Sequence, residues 1–378
     1  MAVMTTLFEP LTFRTQPGIP ALEARNRIFV APMCMYSATG QDGQVQPFHI
    51  QHYGTLAAGG ASLVLVEATA VNPVGRISPA DLGLWECEDP VATAALVEGH
   101  RRLVDAIHAH GALAGVQLAH AGAKASTYPP HPGNGTGVMP LDQGGWTVVG
   151  PGDTPLAANL GLPQPLTSDG IRGVVADFAR AAELAEAAGY DIVQIHGAHG
   201  YLLHEFLSPL TNTRTDGYGD SPASRYRIHC EVAAAVRETF TGPIGLRVSA
   251  SDWVPEGVSL ETVIDCVRAV DDACALAWVD VSSGGIPIDQ PIPAAKNYQV
   301  PFAQAIGAAL AEEDIVVSAV GMITDPHQAA ILVDDDHIDA VSLGRVLLRE
   351  PTWPIHAGMT LGLHPSELPI PPQYERGW

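Results

Sequence analysis

His196 and His199 stand three residues apart, and Tyr201 follows two residues later in the run HGAHGY. Two imidazoles at that spacing can form half of a metal site, converge as hydrogen-bond donors on one oxygen, or be satisfied structural side chains. A zinc site needs further protein ligands, and His120 or Glu67 are residues of a suitable type. His204-Glu205 is followed by Phe206-Leu207-Ser208 and so lacks the second histidine of an H-E-x-x-H zinc motif. A phenol such as Tyr201 can deliver a proton to a carbon that is becoming basic, or it can anchor a loop. The spacing alone leaves these readings open.

Other chemistry-bearing side chains recur at the ends of short apolar runs. Cys34 and Tyr36 follow the first run, Ala68 stands near the end of the second, and Gln117 and His120 near the end of the third. Arg247 sits inside the fifth, Ser282 and Ser283 end the sixth, Gly321 follows the seventh, and Gly344-Arg345 end the eighth. Gly321, Gly344 and Arg345 fit a phosphate site, because glycines let backbone N–H groups approach an anion and arginine adds a bidentate contact. The alternative for Arg345 is a salt bridge. Arg247 is the least suited to a purely structural part, since an unpaired buried charge is costly. Cys34 by itself would more often be a small buried hydrophobe, and Gln117 could simply satisfy backbone groups.

These positions need elements to hold them. Strands are expected over Arg27–Met33, Ser62–Val71, Leu113–His120, Asp191–Gly197, Pro243–Ala250, Trp278–Ser283, Asp314–Val320 and Ile338–Gly344. Most are near-continuous apolar runs, as parallel strands covered on both faces require. Ala-rich helical stretches fill the gaps, most clearly Asp169–Ala188, closed by Gly189. Eight strands alternating with helices imply an α/β fold, a single-domain (β/α)8 TIM barrel over residues 1–378. A doubly wound sheet would need a Gly-rich turn after the first strand, where Ala31–Tyr36 has none. One excursion, Thr127–Pro165, is dense in Gly and Pro and is expected to form a lid over the C-terminal face. The tail, residues 369–378, ends in Tyr374, Arg376 and Trp378, types favoured at interfaces.

Composition narrows the partners. With 378 residues, 47% of them hydrophobic, the chain can build a large core. The formal charge of −22 argues against nucleic acid and anionic lipid as partners, and the only lysines are Lys124 and Lys296. The five scattered cysteines form no C-x-x-C pair, so zinc ribbons and iron–sulfur clusters are not expected and a reducing, cytoplasmic setting is. No signal peptide is expected at the N-terminus and no membrane span anywhere.

HGAHGYLLHEFLSP (196–209) and LTNTRTDGYGDSPASRYR (ending at Arg227) resemble the long signature of the old yellow enzyme family. APMCMYS (31–37), VEATAV (66–71), QLAHAG (117–122), LRVSASDW (246–253), VGMITDP (320–326) and SLGRVLLREP (342–351) resemble its other motifs, in family order. Cys34, Tyr36 and the QYERGW terminus resemble its bacterial thermophilic-like subgroup.

The resemblance implies an FMN-dependent ene-reductase that takes reducing equivalents from NADPH or NADH in a ping-pong cycle. It implies that His196 and His199 hold the carbonyl oxygen of an α,β-unsaturated substrate and that Tyr201 donates the proton. It places Gln117 and Arg247 at the pyrimidine edge of FMN, and Pro32, Met33, Cys34 and Ala68 against its ring, with Cys34 tuning its potential and touching substrate. Ser283, Gly321, Gly344 and Arg345 would line the ribityl phosphate, and Tyr36 the substrate pocket. Arg376 would complete the site of a neighbouring subunit in a homodimer or homotetramer. The substrates implied are enones, enals, maleimides and nitro compounds, with no metal. Ala123 departs from the arginine of many relatives, leaving Lys124 as the local positive charge, and Pro255–Ser259 also differs. A dienoyl-CoA-reductase-like flavin barrel, a catalytically silent FMN-binding protein and a metal-dependent barrel hydrolase are the alternatives.

Overall fold

Eight parallel strands close into one ring: β1 (Ile28–Val30), β2 (Leu63–Ala70), β3 (Leu113–Ala119), β4 (Ile192–Gly197), β5 (Ile244–Ser249), β6 (Trp278–Ser282), β7 (Val316–Ala319) and β8 (Ala340–Leu343). The coordinates are a computed structural model describing residues 5–287, 289–334 and 337–378. Neighbours follow chain order, and β8 pairs with β1 to close the ring. The (β/α)8 TIM barrel expected from the sequence is the architecture found, and each expected strand contains the observed one.

The helices are α1 (Pro47–Ala58), α2 (Pro90–His108), α3 (Ser168–Ala188), α4 (Leu202–Leu207), α5 (Pro222–Thr239), α6 (Leu260–Cys274), α7 (Val300–Ala309), α8 (Pro326–Val333), α9 (Arg345–Arg349) and α10 (Trp353–Thr360). Local chemistry starts and stops them. Thr167 caps α3 by accepting the Gly170 N–H, and Gly189, at φ 90°, ends it in the left-handed region open to glycine. Ile171, Val174, Phe178, Ala182 and Ala185 face the barrel as one buried stripe. No helix among the described residues is long and apolar enough to cross a membrane.

Side chains alternate across each strand. On β4, Val193 and Ile195 join the core under the helices while Ile192 joins the cluster inside the barrel, so Gln194 and His196 share the inner side. The same rule turns Trp278, Asp280 and Ser282 of β6 inward. The inner cluster is the floor. Phe29, Leu63, Ile192, Trp278 and Val316 fill it, and the Trp278 ring lies 5.5 Å from Phe29 and 6.4 Å from Phe13. Phe13 comes from an antiparallel hairpin, Leu11–Phe13 with Leu22–Ala24, that seals the N-terminal end. Three-residue strands carry no readable period, so the sequence did not indicate this plug.

Two irregularities bear on the site. A bulge on β2 puts Val66 opposite Val116 but Ala68 opposite Gln117, leaving Glu67 as the extra residue. Residues 127–165 form an ordered excursion with a short parallel pair, Val149–Gly150 and Gln164–Pro165. Trp146 of this excursion donates to the Val74 carbonyl at 2.8 Å, and the Arg76 guanidinium lies 5.0 Å from its ring and 5.6 Å from that of Trp85.

Candidate active site

At the C-terminal end of β4 the chain turns sharply. His196 is the last inward side chain, and His199 and Gly200 adopt φ 60° and 72°. For histidine this conformation needs outside support, and neighbours supply it. The His199 N–H donates to Ser249 Oγ at 2.9 Å, whose hydroxyl donates to the Gly284 carbonyl at 2.8 Å. Lys124 Nζ donates to the His199 carbonyl, and the Gly200 N–H donates to His204 Nδ1 at 2.9 Å. His204 Nε2 lies 3.0 Å from Asp252 Oδ1 in a fully buried pair. Burial alone would raise the Asp252 carboxyl, but hydrogen bonds from His204, Val258 and Ser208 hold it below its usual value.

The turn sets three rings at right angles. The His196 centroid is 4.9 Å from Tyr201 and 5.1 Å from His199, each pair at 84°. His196 Nδ1 accepts the Ala198 N–H, so its Nε2 carries the proton and points at His199 Nδ1, 3.4 Å away. His199 Nε2 is 2.7 Å from Ser282 Oγ, and Ser282 donates onward to Gln299 Oε1 at 3.2 Å. The one Ser282 proton can go to Gln299 or turn to His199 Nε2, and only in the second arrangement does His199 carry its own proton on Nδ1, facing His196. Burial, then the Arg247 charge, holds both imidazoles well below the usual histidine value, so both are neutral donors. Burial also pushes the Tyr201 phenol well above its usual value, with Cys34, Tyr36 and Asp81 adding and Arg247 opposing. Lys124 Nζ lies 5.7 Å from the Tyr201 ring centroid; burial lowers this ammonium to about 8, against the pull of Glu205.

Below the rings lies a polar layer. Gln117 and Gln194 are opposite each other, as are His196 and Arg247, and Arg247 and Asp280. Gln117 Nε2 donates to Gln194 Oε1 at 2.6 Å, and Arg247 Nε is 2.9 Å from Asp280 Oδ2. Ser318 donates to Asp280 Oδ1 at 2.8 Å. Gln194 Nε2 is buried and has no acceptor among the described residues, leaving a donor free for a bound group.

A cavity of about 380 Å³ opens beside this layer, lined by Arg247, Ser282, Gln299, Gly321, Gly344, Arg345 and Arg349 among others. A β-carbon on Gly321, at φ 135°, would press against Gln299 and Tyr298 at 3.3 Å. Two arginines with two glycines at the ends of β7 and β8 suit an anion. Ser282 lines the cavity, whereas Ser283 lies one residue on, donating to Gln299 Oε1 at 2.7 Å and accepting from Trp253 Nε1 at 3.0 Å.

On the β1 side, Cys34 and Tyr36 pack with Ala68, Ala119, Val148, Trp146 and Tyr201 into an apolar wall. Tyr36 stands at φ 51° with its ring 6.1 Å from His131 of the excursion. Met33 Sδ is the nearest atom to where a Gly344 β-carbon would be, and Pro32 precedes it. Arg376 does not join this assembly. It is exposed in the 3-10 helix Pro372–Gly377 on the outer surface, where the Trp378 ring lies 4.8 Å from His356 of α10 at a tilt of 54°. The histidine pair gains no third ligand either. Glu67 is engaged by Met35 and Tyr53, His120 Nδ1 accepts the Gly122 N–H, and among the described residues no group of three His, Cys, Asp or Glu converges.

The family model for the NADH:flavin oxidoreductase / NADH oxidase family matches residues 6–363. The chain belongs to that family. An NADPH dehydrogenase of Listeria innocua is 43% identical over 94% of this chain and 95% of its own length, and one of Geobacillus sp. is 39% identical over 99% of each. The solved structure of morphinone reductase superposes with a TM-score of 0.73 at 26% identity, covering 96% of this chain and 92% of that one. A 2-naphthoyl-CoA reductase complex reaches a TM-score of 0.79 at 21% identity; 95% of this chain spans 52% of that protein, a likeness of fold alone. The protein is thus an NAD(P)H-dependent flavin oxidoreductase of old yellow enzyme type, with FMN as its cofactor. The cavity with its glycines, Arg345 and the orphaned Gln194 donor fits such a group.

Gln194, Asp280, Ser282, Gln299 and Arg349 went unmarked or unweighted in the sequence reading. Gln194 and Asp280 are lone polar residues within apolar strands, and the period-two rule applied to β4 and β6 flags them.

Proposed function

We propose that the enzyme is an ene-reductase that saturates the C=C bond of α,β-unsaturated carbonyl or nitro compounds, among them enones, enals, maleimides and nitroalkenes. When bound, FMN would supply the redox chemistry that relays hydride from NAD(P)H to the substrate β-carbon. His196 and His199 hold the carbonyl oxygen between them, the 3.4 Å gap between their ring nitrogens opening to admit it. As neutral imidazoles they donate N–H groups to the charge that grows on that oxygen, and one such donor is worth about 3–4 kcal/mol of barrier. Tyr201 delivers its hydroxyl proton to the α-carbon. Lys124 beside its ring favours the phenolate left behind. Cys34, Tyr36, Ala68 and Trp146 keep water from the reacting carbons.

Around the cofactor, Gln117 and Arg247 hold the pyrimidine edge, helped by Gln194 Nε2. Pro32, Met33, Cys34 and Ala68 pack against the ring, and Cys34 tunes its potential. Ser283, Gly321, Gly344 and Arg345 hold the ribityl phosphate, with Ser282 and Arg349 beside them. The stretch 127–165 acts as a lid, and Arg376 of residues 369–378 reaches the site of a second copy in a homodimer or homotetramer.

What carries this reading is the meeting of a neutral imidazole pair and a neutral phenol, rings 4.9 and 5.1 Å apart, at the mouth of a flavin barrel. Isotope placement tests it. With 2-cyclohexenone and NADPH in D2O, one deuterium is expected at the α-carbon; with nicotinamide-deuterated NADPH in H2O, one at the β-carbon. Absence of solvent deuterium from the α-carbon, or reduction of the carbonyl to an alcohol, contradicts it.

A further inference from the structure

Glu67 lies behind Cys34 and takes no part in the steps above. The β2 bulge turns it off the barrel axis toward α1, a re-aiming that bulges commonly perform. Its Oε1 accepts the Met35 N–H at 2.9 Å and its Oε2 the Tyr53 hydroxyl at 2.7 Å, while Tyr53 Oη accepts the Glu67 N–H at 2.9 Å. The side chain is 1% exposed. His49 Nε2, buried and otherwise unpartnered, stands 3.9 Å from Oε2. Met35 sits between Cys34 and Tyr36, and Tyr36 holds the left-handed φ that seldom persists without outside restraint.

We propose that Glu67 is a positioning residue that fixes Cys34 and Tyr36 through the Met35 N–H and whose negative charge, when the carboxyl is ionised, restrains ionisation of the Cys34 thiol. This rests on the reading that Cys34 faces flavin and substrate. Burial lifts the Glu67 carboxyl to about 8, Asp81 adding, with the Met35 and Tyr36 N–H groups and the Tyr53 hydroxyl opposing. Its charge therefore changes within the range in which enzymes work. The groups facing it are His49 and Tyr53 from α1, Cys34 and Tyr36 after β1, Asp81 after β2 and Tyr190 before β4. Burial holds His49 neutral, down to about 4. Burial raises the Cys34 thiol first, then Asp81 and Glu67, against the Ala68 N–H and Arg247.

The test is alkylation of Cys34 by iodoacetamide in the FMN-free protein between about pH 6 and 10, read by peptide mass analysis, a window that brackets the ordinary thiol value. Glu67→Gln keeps an acceptor for Met35 and removes the charge. Its Cys34 rate near pH 8–9 is expected to rise roughly three- to tenfold with the profile displaced to lower pH, while Cys87 and Cys230 are unchanged and Glu67→Asp returns the profile toward wild type. A purely structural part would change the rate alike at every pH. A Glu67→Gln profile that coincides with wild type, or is scaled without displacement, overturns the proposal. Should that variant fail to fold, Tyr53→Phe removes one donor from the same carboxylate, keeps it neutral to higher pH and should speed alkylation near pH 8; no change overturns it equally. FMN binding, titrated in parallel, separates the outcomes: bound flavin with an unmoved thiol profile rejects only the role of Glu67, and failure to bind flavin rejects the ene-reductase reading.

Discussion

In the proposed reaction the proton for the α-carbon comes from Tyr201. Tyr201 is half-buried beside two neutral imidazoles, and its phenol stays protonated at working pH because desolvation penalises the phenolate. Replacing Tyr201 by Phe keeps the ring packing and removes only the proton. Reoxidation of the enzyme by 2-cyclohexenone should then slow by about 10²–10⁴-fold, the range for a lost general acid. Reduction by NADPH should be nearly unchanged, and anaerobic stopped-flow absorbance separates the two. Slowing of both half-reactions alike would assign Tyr201 to structure. The histidine pair, Tyr201 and Arg247 could be marked as candidates because such types are conspicuous at the ends of apolar strands, but the roles given to them came from the family resemblance. Gln194 and Asp280 were not, since their importance comes from facing Gln117 and Arg247 across strands far apart in the chain. Lys124 was legible only as a charge; its contact with the His199 carbonyl depends on the fold of the β4 turn.

That turn is the element on which the site depends most. A β-carbon on Gly200 would lie 2.3 Å from the Gly285 carbonyl oxygen and 2.8 Å from Lys124 Nζ, at φ 72°. Gly200→Ala combines left-handed strain of about 1–2 kcal/mol with overpacking of about 1–3 kcal/mol. A loss of about 3 kcal/mol in urea unfolding is expected, with displacement of His199; a loss under about 1 kcal/mol would mean that the turn yields freely. All eight strands and α3 could be read from sequence, because continuous apolar runs and a 3.6-residue stripe are strong signals. The β2 bulge and the plugging hairpin could not. One is a one-residue slip within an unbroken apolar run, the other a pair of strands too short to show alternation. The excursion was legible by its glycines and prolines, but its tether through Trp146 and Arg76 was not.

Across the whole molecule, buried titratable groups set how stability follows pH. Burial, the leading cause for each, lifts Glu67 and Glu205 from 4.5 to about 8 and Asp81 from 3.8 to about 7. A raised carboxyl contributes stability in full below its unfolded value and loses it as pH climbs through the folded one. Burial likewise lowers His49 and His120 to about 4 and His100 and His229 to about 3 from 6.5. A depressed histidine contributes above its unfolded value and loses as pH falls through the folded one. The opposing slopes place the melting maximum of the FMN-free protein between pH 4.5 and 6.5, declining toward about 8. Differential scanning fluorimetry across that span checks it, and a maximum above pH 8 would contradict the assignment of these groups as buried.

The most direct measurement is the visible spectrum of the purified protein under anaerobic conditions, recorded after addition of NADPH and again after 2-cyclohexenone. A yellow protein is expected, its flavin band bleaching with NADPH and returning in full with the enone. A flavin that bleaches but is not reoxidised by any enone, enal, maleimide or nitroalkene would leave the oxidoreductase in place and contradict the ene-reductase chemistry assigned to His196, His199 and Tyr201.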